Sequence, residues 1–123
     1  DRIDIKAPES LRAMRRAYYG LVTYIDRKVG ELVDELERLD LRDRTVIIFT
    51  SDHGDMLGEK NMVQKRSFYE MSSRVPMLIR FADGWGAGKV CDQPASLIDL
   101  APTILQIADV RSWMPMDQLS SSI

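Results

Sequence analysis

The residues best equipped for chemistry are Asp52 and His53, which follow the run Thr45-Val46-Ile47-Ile48-Phe49-Thr50 and precede Gly54 and Asp55. A carboxylate and an imidazole turned toward one point make half of a metal site. Adjacent side chains leaving a strand can converge in this way once the pleat breaks, and Gly54 allows the break. The dipeptide also has a plainer reading, in which Asp52 caps a turn and His53 is an ordinary surface histidine. By spacing alone both readings stand, the plainer one first. Lys65, Arg66 and Arg74 flank the polar segment that follows. Cations beside such a half-site would suit a sulfate or phosphate group, because they neutralise charge gathering on a departing oxygen. Taken singly, each reads as a solvated surface charge.

The elements that must position these groups follow from periodicity. The run ending at Thr50 is short, β-branched and without alternation, the pattern of a strand buried on both faces of a parallel sheet. In open sheets of that kind the ligand crevice lies beyond the carboxyl ends of the strands, where Asp52 and His53 would sit. Upstream, Leu11, Met14, Ala17, Tyr18, Leu21, Val22, Ile25, Val29, Leu32, Val33, Leu36 and Leu39 recur at steps of three and four. This spacing predicts a long amphipathic helix from Ser10 to Leu39 with a core-facing stripe, to which Tyr18 belongs rather than to a cofactor site.

Downstream, Met56 to Ser73 reads as a polar irregular loop, and loops of that length are usually functional or disordered. Arg74 to Phe81 reads as a second strand, Asp83 to Gly88 as a turn, and the stretch around Val90 as extended. Ser96 or Asp99 then caps a helix over Leu100 to Ala108, with Pro102 early in it. Pro115 to Ile123 reads as a frayed polar end. The order is α/β. A strand covered on both faces needs neighbours that this chain barely supplies, which predicts a piece of a larger sheet. The opening Asp1 in place of Met fits that expectation, and truncated sheet edges would favour pairing with another copy.

The composition excludes several classes. The 123 residues are 45% apolar and 29% charged, with 17 Lys and Arg against 19 Asp and Glu. No basic excess drives binding to nucleic acid or anionic lipid, and no apolar run reaches the roughly 18 residues of a membrane span. Neither a nucleic acid nor a membrane is therefore expected as a partner. Cys91 is the single cysteine. It cannot form an internal disulfide, reads as a small buried hydrophobe, and fits a reducing, cytoplasmic compartment.

The stretch Thr50-Ser51-Asp52-His53-Gly54-Asp55-Met56-Leu57-Gly58-Glu59, with Lys65, Ser67-Phe68-Tyr69-Glu70 and Ser73-Arg74-Val75-Pro76-Met77, resembles the sulfatase family of the alkaline phosphatase superfamily. The likeness is nearest to the branch of choline sulfatases and phosphonate monoester hydrolases. It extends upstream through Arg16-Ala17-Tyr18-Tyr19 and Ile25-Asp26, and downstream to Ile98-Asp99-Leu100-Ala101-Pro102-Thr103. The resemblance implies an α/β fold, part of a three-layer α/β/α sandwich with a mostly parallel sheet. Residues 1–123 would then be one domain, the later part of a sulfatase catalytic domain. It further implies that Asp52 and His53 are metal ligands, and that Lys65 is the catalytic and substrate-binding cation that contacts the sulfate and its leaving oxygen. Calcium stands first as the metal. Histidine in place of the family's frequent asparagine is a softer ligand that admits manganese or zinc more readily, and magnesium is the remaining alternative.

The departures from the family are as informative. The formylglycine nucleophile of sulfatases arises in a Cys/Ser-x-Pro-x-Arg motif, and none is present. After Cys91 the proline comes one residue late, at Pro94, and the arginine is missing. The early pair of acidic metal ligands is absent too, so the formylglycine is expected upstream and the isolated chain is expected to be inactive. The implied activity is hydrolysis of a small sulfate ester such as choline sulfate or an aryl sulfate. The alternatives are a phosphonate monoester or phosphodiester hydrolase of the same superfamily, and a non-catalytic sulfatase-like domain.

Overall fold

A computed structural model of the chain describes residues 7–110. The opening residues and the polar end from Pro115 to Ile123 lie outside the described residues. Two compact units divide at Lys89 and Val90.

The first unit begins with α1, Pro8–Arg38, a helix of 31 residues. Its start lies two residues before Ser10, because Pro8 occupies the first turn, where a missing N–H costs nothing and φ is already helical. Glu9 in the first turn and Arg38 in the last oppose the helix dipole favourably. Exposed pairs one turn apart add local support, with Lys28 to Glu31 at 2.6 Å and Arg38 gripping both oxygens of Glu35 at 2.6 and 2.7 Å. The guanidinium holds the Glu35 carboxyl below its ordinary range.

The expected stripe is only partly covered. Leu11, Met14, Tyr18, Val29, Val33 and Leu36 are half-buried, whereas Leu21, Val22, Ile25 and Leu32 are exposed, and no residue of α1 is fully buried. The reason is that α1 meets mainly two small elements, a strand of two residues and a turn at Arg42–Arg44, which cannot cover a helix of this length.

Next come β1, Ile47–Thr50; β2, Met56–Leu57; β3, Val63–Gln64; α2, Glu70–Ser73; and β4, Met77–Arg80. Here the expected parallel arrangement gives way to an antiparallel one. β1 pairs with β4 from Ile47 opposite Arg80 to Thr50 opposite Met77. A parallel return needs a long crossover, commonly a helix, and the chain between these strands carries only a small hairpin and one helical turn. Neither strand is buried on both faces; Phe49, Leu78 and Ile79 are exposed. Arg80 secures the pair to the turn after α1 by donating to the Arg42 carbonyl at 2.6 Å and to Asp43 at 2.9 Å.

The stretch expected to be irregular is organised. β2 and β3 form an antiparallel hairpin, with Met56 opposite Gln64 and Leu57 opposite Val63. Gly58 turns it at φ 104°, a left-handed conformation that an L side chain adopts only with strain. The hairpin docks on α1 through Arg15, whose guanidinium donates to the Leu57 carbonyl and to Glu59, both at 3.0 Å. The densest packing of the unit lies in this excursion. Met56 is 1% exposed and Ser72, on α2, is 3% exposed.

In the second unit Ser96 and Asp99 form a capping box around the turn Leu97–Asp99, and α3 follows over Leu100–Ile107. Thr103 donates to the Asp99 carbonyl at 2.6 Å. The cap and helix agree with the sequence pattern. The stretch around Val90 forms no strand, and Cys91 is exposed rather than buried. Residues 87–96 are all exposed, so none of the thiol's chain neighbours packs over it.

Candidate active site

β1 delivers Ser51, Asp52 and His53 to its carboxyl end, where the pleat stops. Ser51 Oγ donates to the His53 carbonyl at 2.8 Å, and the His53 backbone N–H donates to Asp52 Oδ1 at 3.0 Å. One oxygen of Asp52 is thus held by the backbone of the very next residue, a local contact and not the bond two residues on that caps a turn. The other, Oδ2, lies 3.2 Å from His53 Nε2. The Asp52 side chain is 80% exposed and that of His53 30%.

The imidazole is oriented by its second nitrogen. Nδ1 sits 2.9 Å from the Gly54 carbonyl oxygen. A carbonyl only accepts, so Nδ1 carries the proton and donates, leaving the Nε2 lone pair to face outward. That lone pair meets Lys65 Nζ at 2.6 Å. A backbone carbonyl behind one ring nitrogen is also the arrangement that commonly fixes histidine ligands of metals.

This donor set fits a divalent cation. Two ligand atoms bound at about 2.0–2.5 Å and at right angles to one ion lie about 2.8–3.5 Å apart, which matches the Oδ2 to Nε2 spacing. Among the described residues no third His, Cys, Asp or Glu joins them.

Lys65 arrives from the opposite side of the excursion, directly after β3. Its carbonyl accepts from the Ser67 backbone N–H at 2.8 Å and from the Ser72 hydroxyl at 2.6 Å. The remaining cations named from sequence do not converge with it. Arg74 faces Glu70 at 3.7 Å on the exposed side of α2. Among the described residues no hydrogen bond joins Arg66 to Asp52 or His53.

The structure gives two positions a role that the sequence does not show, Gly54 as a close backbone approach and Ser72 as a buried junction. Gly54 lies against α2 so closely that a Cβ would stand 2.1 Å from the Met71 carbonyl oxygen. Ser72 is an unremarkable serine in sequence, and only its burial and partners distinguish it.

The sequence model of the sulfatase family matches residues 3–110, most of the chain. The chain belongs to the sulfatase family. This chain is 44% identical over 110 residues to the choline-sulfatase of Rhizobium meliloti strain 1021, an alignment covering 85% of this chain and 21% of that protein. It is 37% identical to an arylsulfatase of Clostridium perfringens, over 83% of this chain and 22% of that protein. A solved structure, in complex with its substrate D-glucosamine-2-N,6-O-disulfate, superposes with a TM-score of 0.79 at 33% identity, covering 89% of this chain and 23% of that one. The chain spans about a fifth of the length of the relatives it matches.

Proposed function

We propose that this chain is the later section of the catalytic domain of a metal-dependent sulfatase, contributing two metal ligands and one substrate-binding cation to a sulfate ester hydrolase. The observation that carries the reading is the meeting of Asp52 Oδ2, His53 Nε2 and Lys65 Nζ, separated by 3.2 and 2.6 Å. A carboxylate, an oriented imidazole lone pair and an ammonium brought together at the end of a strand form a binding site for a cation paired with an oxyanion.

Asp52 and His53 would hold the divalent ion, which when bound supplies Lewis-acid stabilisation of negative oxygen. The Gly54 carbonyl keeps the imidazole in the tautomer whose Nε2 carries the lone pair, which would turn to the ion when the ammonium, now bonded to it at 2.6 Å, turns to the sulfate. Lys65 Nζ binds a sulfate oxygen and offsets negative charge on the ester oxygen as the S–O bond breaks. A single ammonium can do both, because the two oxygens belong to one tetrahedral group. The nucleophile, a formylglycine in this reading, comes from outside residues 1–123, and the α/β elements described here join a larger three-layer sandwich. The family relatives named choline-sulfatase and arylsulfatase support a small sulfate ester, choline sulfate or an aryl sulfate, as substrate.

The test is turnover of an aryl sulfate and of the matching aryl phosphate by the whole protein. The sulfate is expected to be preferred. Lys65→Ala is expected to lower kcat about 100-fold, as loss of one preorganised charge-stabilising donor does. Asp52→Ala and His53→Ala are expected to lower bound metal measured by elemental analysis. Phosphate preference, or Lys65→Ala within twofold of the parent, would overturn the proposal. So would robust hydrolysis by residues 1–123 alone.

A further inference from the structure

We propose that Ser72 is a positioning residue that sets the distance between the Lys65 ammonium and the His53 imidazole; this rests on the sulfatase reading above. Ser72 is the one polar residue among the described residues that is fully buried, at 3% exposure. Both halves of it are used, each toward a different arm of the site. Its hydroxyl donates to the Lys65 carbonyl at 2.6 Å. Its own carbonyl accepts from the Gly54 N–H at 2.8 Å, directly after His53.

One residue of α2 therefore bonds to the backbone of the segment that carries the ammonium and to the backbone of the segment that carries the imidazole. The two segments come from opposite ends of the excursion, twelve positions apart in sequence. β2, β3 and the turn between them separate the two segments along the chain. Ser72 joins them directly.

The packing makes this junction stiff. The absent Cβ of Gly54 lets its N–H reach Ser72 while the backbone passes against Met71. The Ser72 N–H donates to the Tyr69 carbonyl at 2.8 Å, which seats the residue within the helical turn. A buried hydroxyl has no water to turn to when its acceptor moves, so the bond to Lys65 resists displacement of that segment. The neighbouring Ser73 has the same side chain without the same role. Its hydroxyl returns to the Tyr69 carbonyl of its own turn at 3.1 Å.

The experiment is a double-mutant cycle in the whole protein, read as kcat and KM on an aryl sulfate. Ser72→Ala is expected to lower kcat about tenfold with KM moving less than about twofold, since a small misplacement of a charge-stabilising group costs mainly in the transition state. In the Lys65→Ala background the same substitution is expected to cost less than about twofold, because the group it positions is gone. Ser73→Ala is expected to leave both constants unchanged. A folding defect alone would give equal losses in both backgrounds, and that additivity would overturn the proposal, as would parent-like kcat in Ser72→Ala. If Lys65→Ala itself leaves turnover intact, the sulfatase reading fails and Ser72 has nothing to position. Should Ser72→Ala yield no folded protein, Ser72→Cys carries the same cycle, because it keeps the volume and weakens the donor.

Discussion

Gly54→Ala is the most direct test of how the imidazole arm is placed. The added Cβ would lie 2.1 Å from the Met71 carbonyl oxygen, 3.1 Å from its carbon and 3.4 Å from the Arg74 carbonyl oxygen. A comfortable carbon to oxygen contact is about 3.3 Å, so backbone must separate by about 1.2 Å. Both partners are main chain, and no flexible side-chain end can give way. Separation of that size stretches the Gly54 to Ser72 hydrogen bond from 2.8 Å toward about 4 Å, beyond bonding range. Overpacking and the lost bond together cost about 2–4 kcal/mol. His53 is the preceding residue, and its ring is oriented by the Gly54 carbonyl, so the shift passes directly to Nε2. A displacement near 1 Å in a catalytic constellation costs about 100-fold in rate. The assay is kcat on an aryl sulfate by the whole protein at saturating metal, with metal content measured alongside. Gly20→Ala serves as the comparison. Its Cβ would meet nothing within 4 Å on α1, and the change is expected to be neutral or to stabilise by up to about 1 kcal/mol. Gly54→Ala with kcat within twofold of the parent would refute the reasoning that α2 sets the imidazole position.

Two other expectations concern the hairpin that leads to Lys65. The Glu59 carboxyl is held below its ordinary value of 4.5, most of all by its own backbone N–H, then by the Leu57 N–H and the Arg15 guanidinium, against partial burial. A lowered carboxyl contributes stability above its ordinary value and loses it as pH falls through the folded-state value, so the hairpin loosens in acid below about pH 4.5. Glu59 is 36% exposed, and the contribution is about 1 kcal/mol or less. The exchange protection factor of the Leu57 amide should therefore exceed that of Glu59→Gln at pH 7 and approach it near pH 3; a gap that widens on acidification would contradict the assignment. Gly58→Ala is expected to destabilise the hairpin by about 1–3 kcal/mol, read by the same amide, because φ is 104° and the new Cβ would stand 2.3 Å from Leu11 Cδ2.

Residue type brought Asp52, His53 and Lys65 forward as candidates, because few side chains can bind a cation or an oxyanion, but by type alone the plainer reading stood first. The roles proposed for them rest on the family likeness of the segment around them. α1 and the capped α3 were legible directly, since a stripe at steps of three and four, a proline at the start of a helix and a serine three residues before an aspartate act within a turn of chain. The strand at Ile47–Thr50 was legible as a strand from its β-branched residues.

Its pairing was not. Whether a strand meets a parallel or an antiparallel neighbour depends on how the chain returns, and the hairpin and single turn between β1 and β4 bring it back antiparallel. The exposure of α1 and of Cys91 belongs to the same class, because burial depends on what lies opposite. The two bonds of Ser72 and the tight passage of Gly54 belong there too, since serine carries no signal by type and glycine at 54 suggested only a break after the strand. Sequence by itself determined which groups can do chemistry and which local elements hold them. Only the tertiary structure decided that the imidazole and the ammonium meet 2.6 Å apart, because that distance depends on buried backbone contacts between segments far apart in the chain.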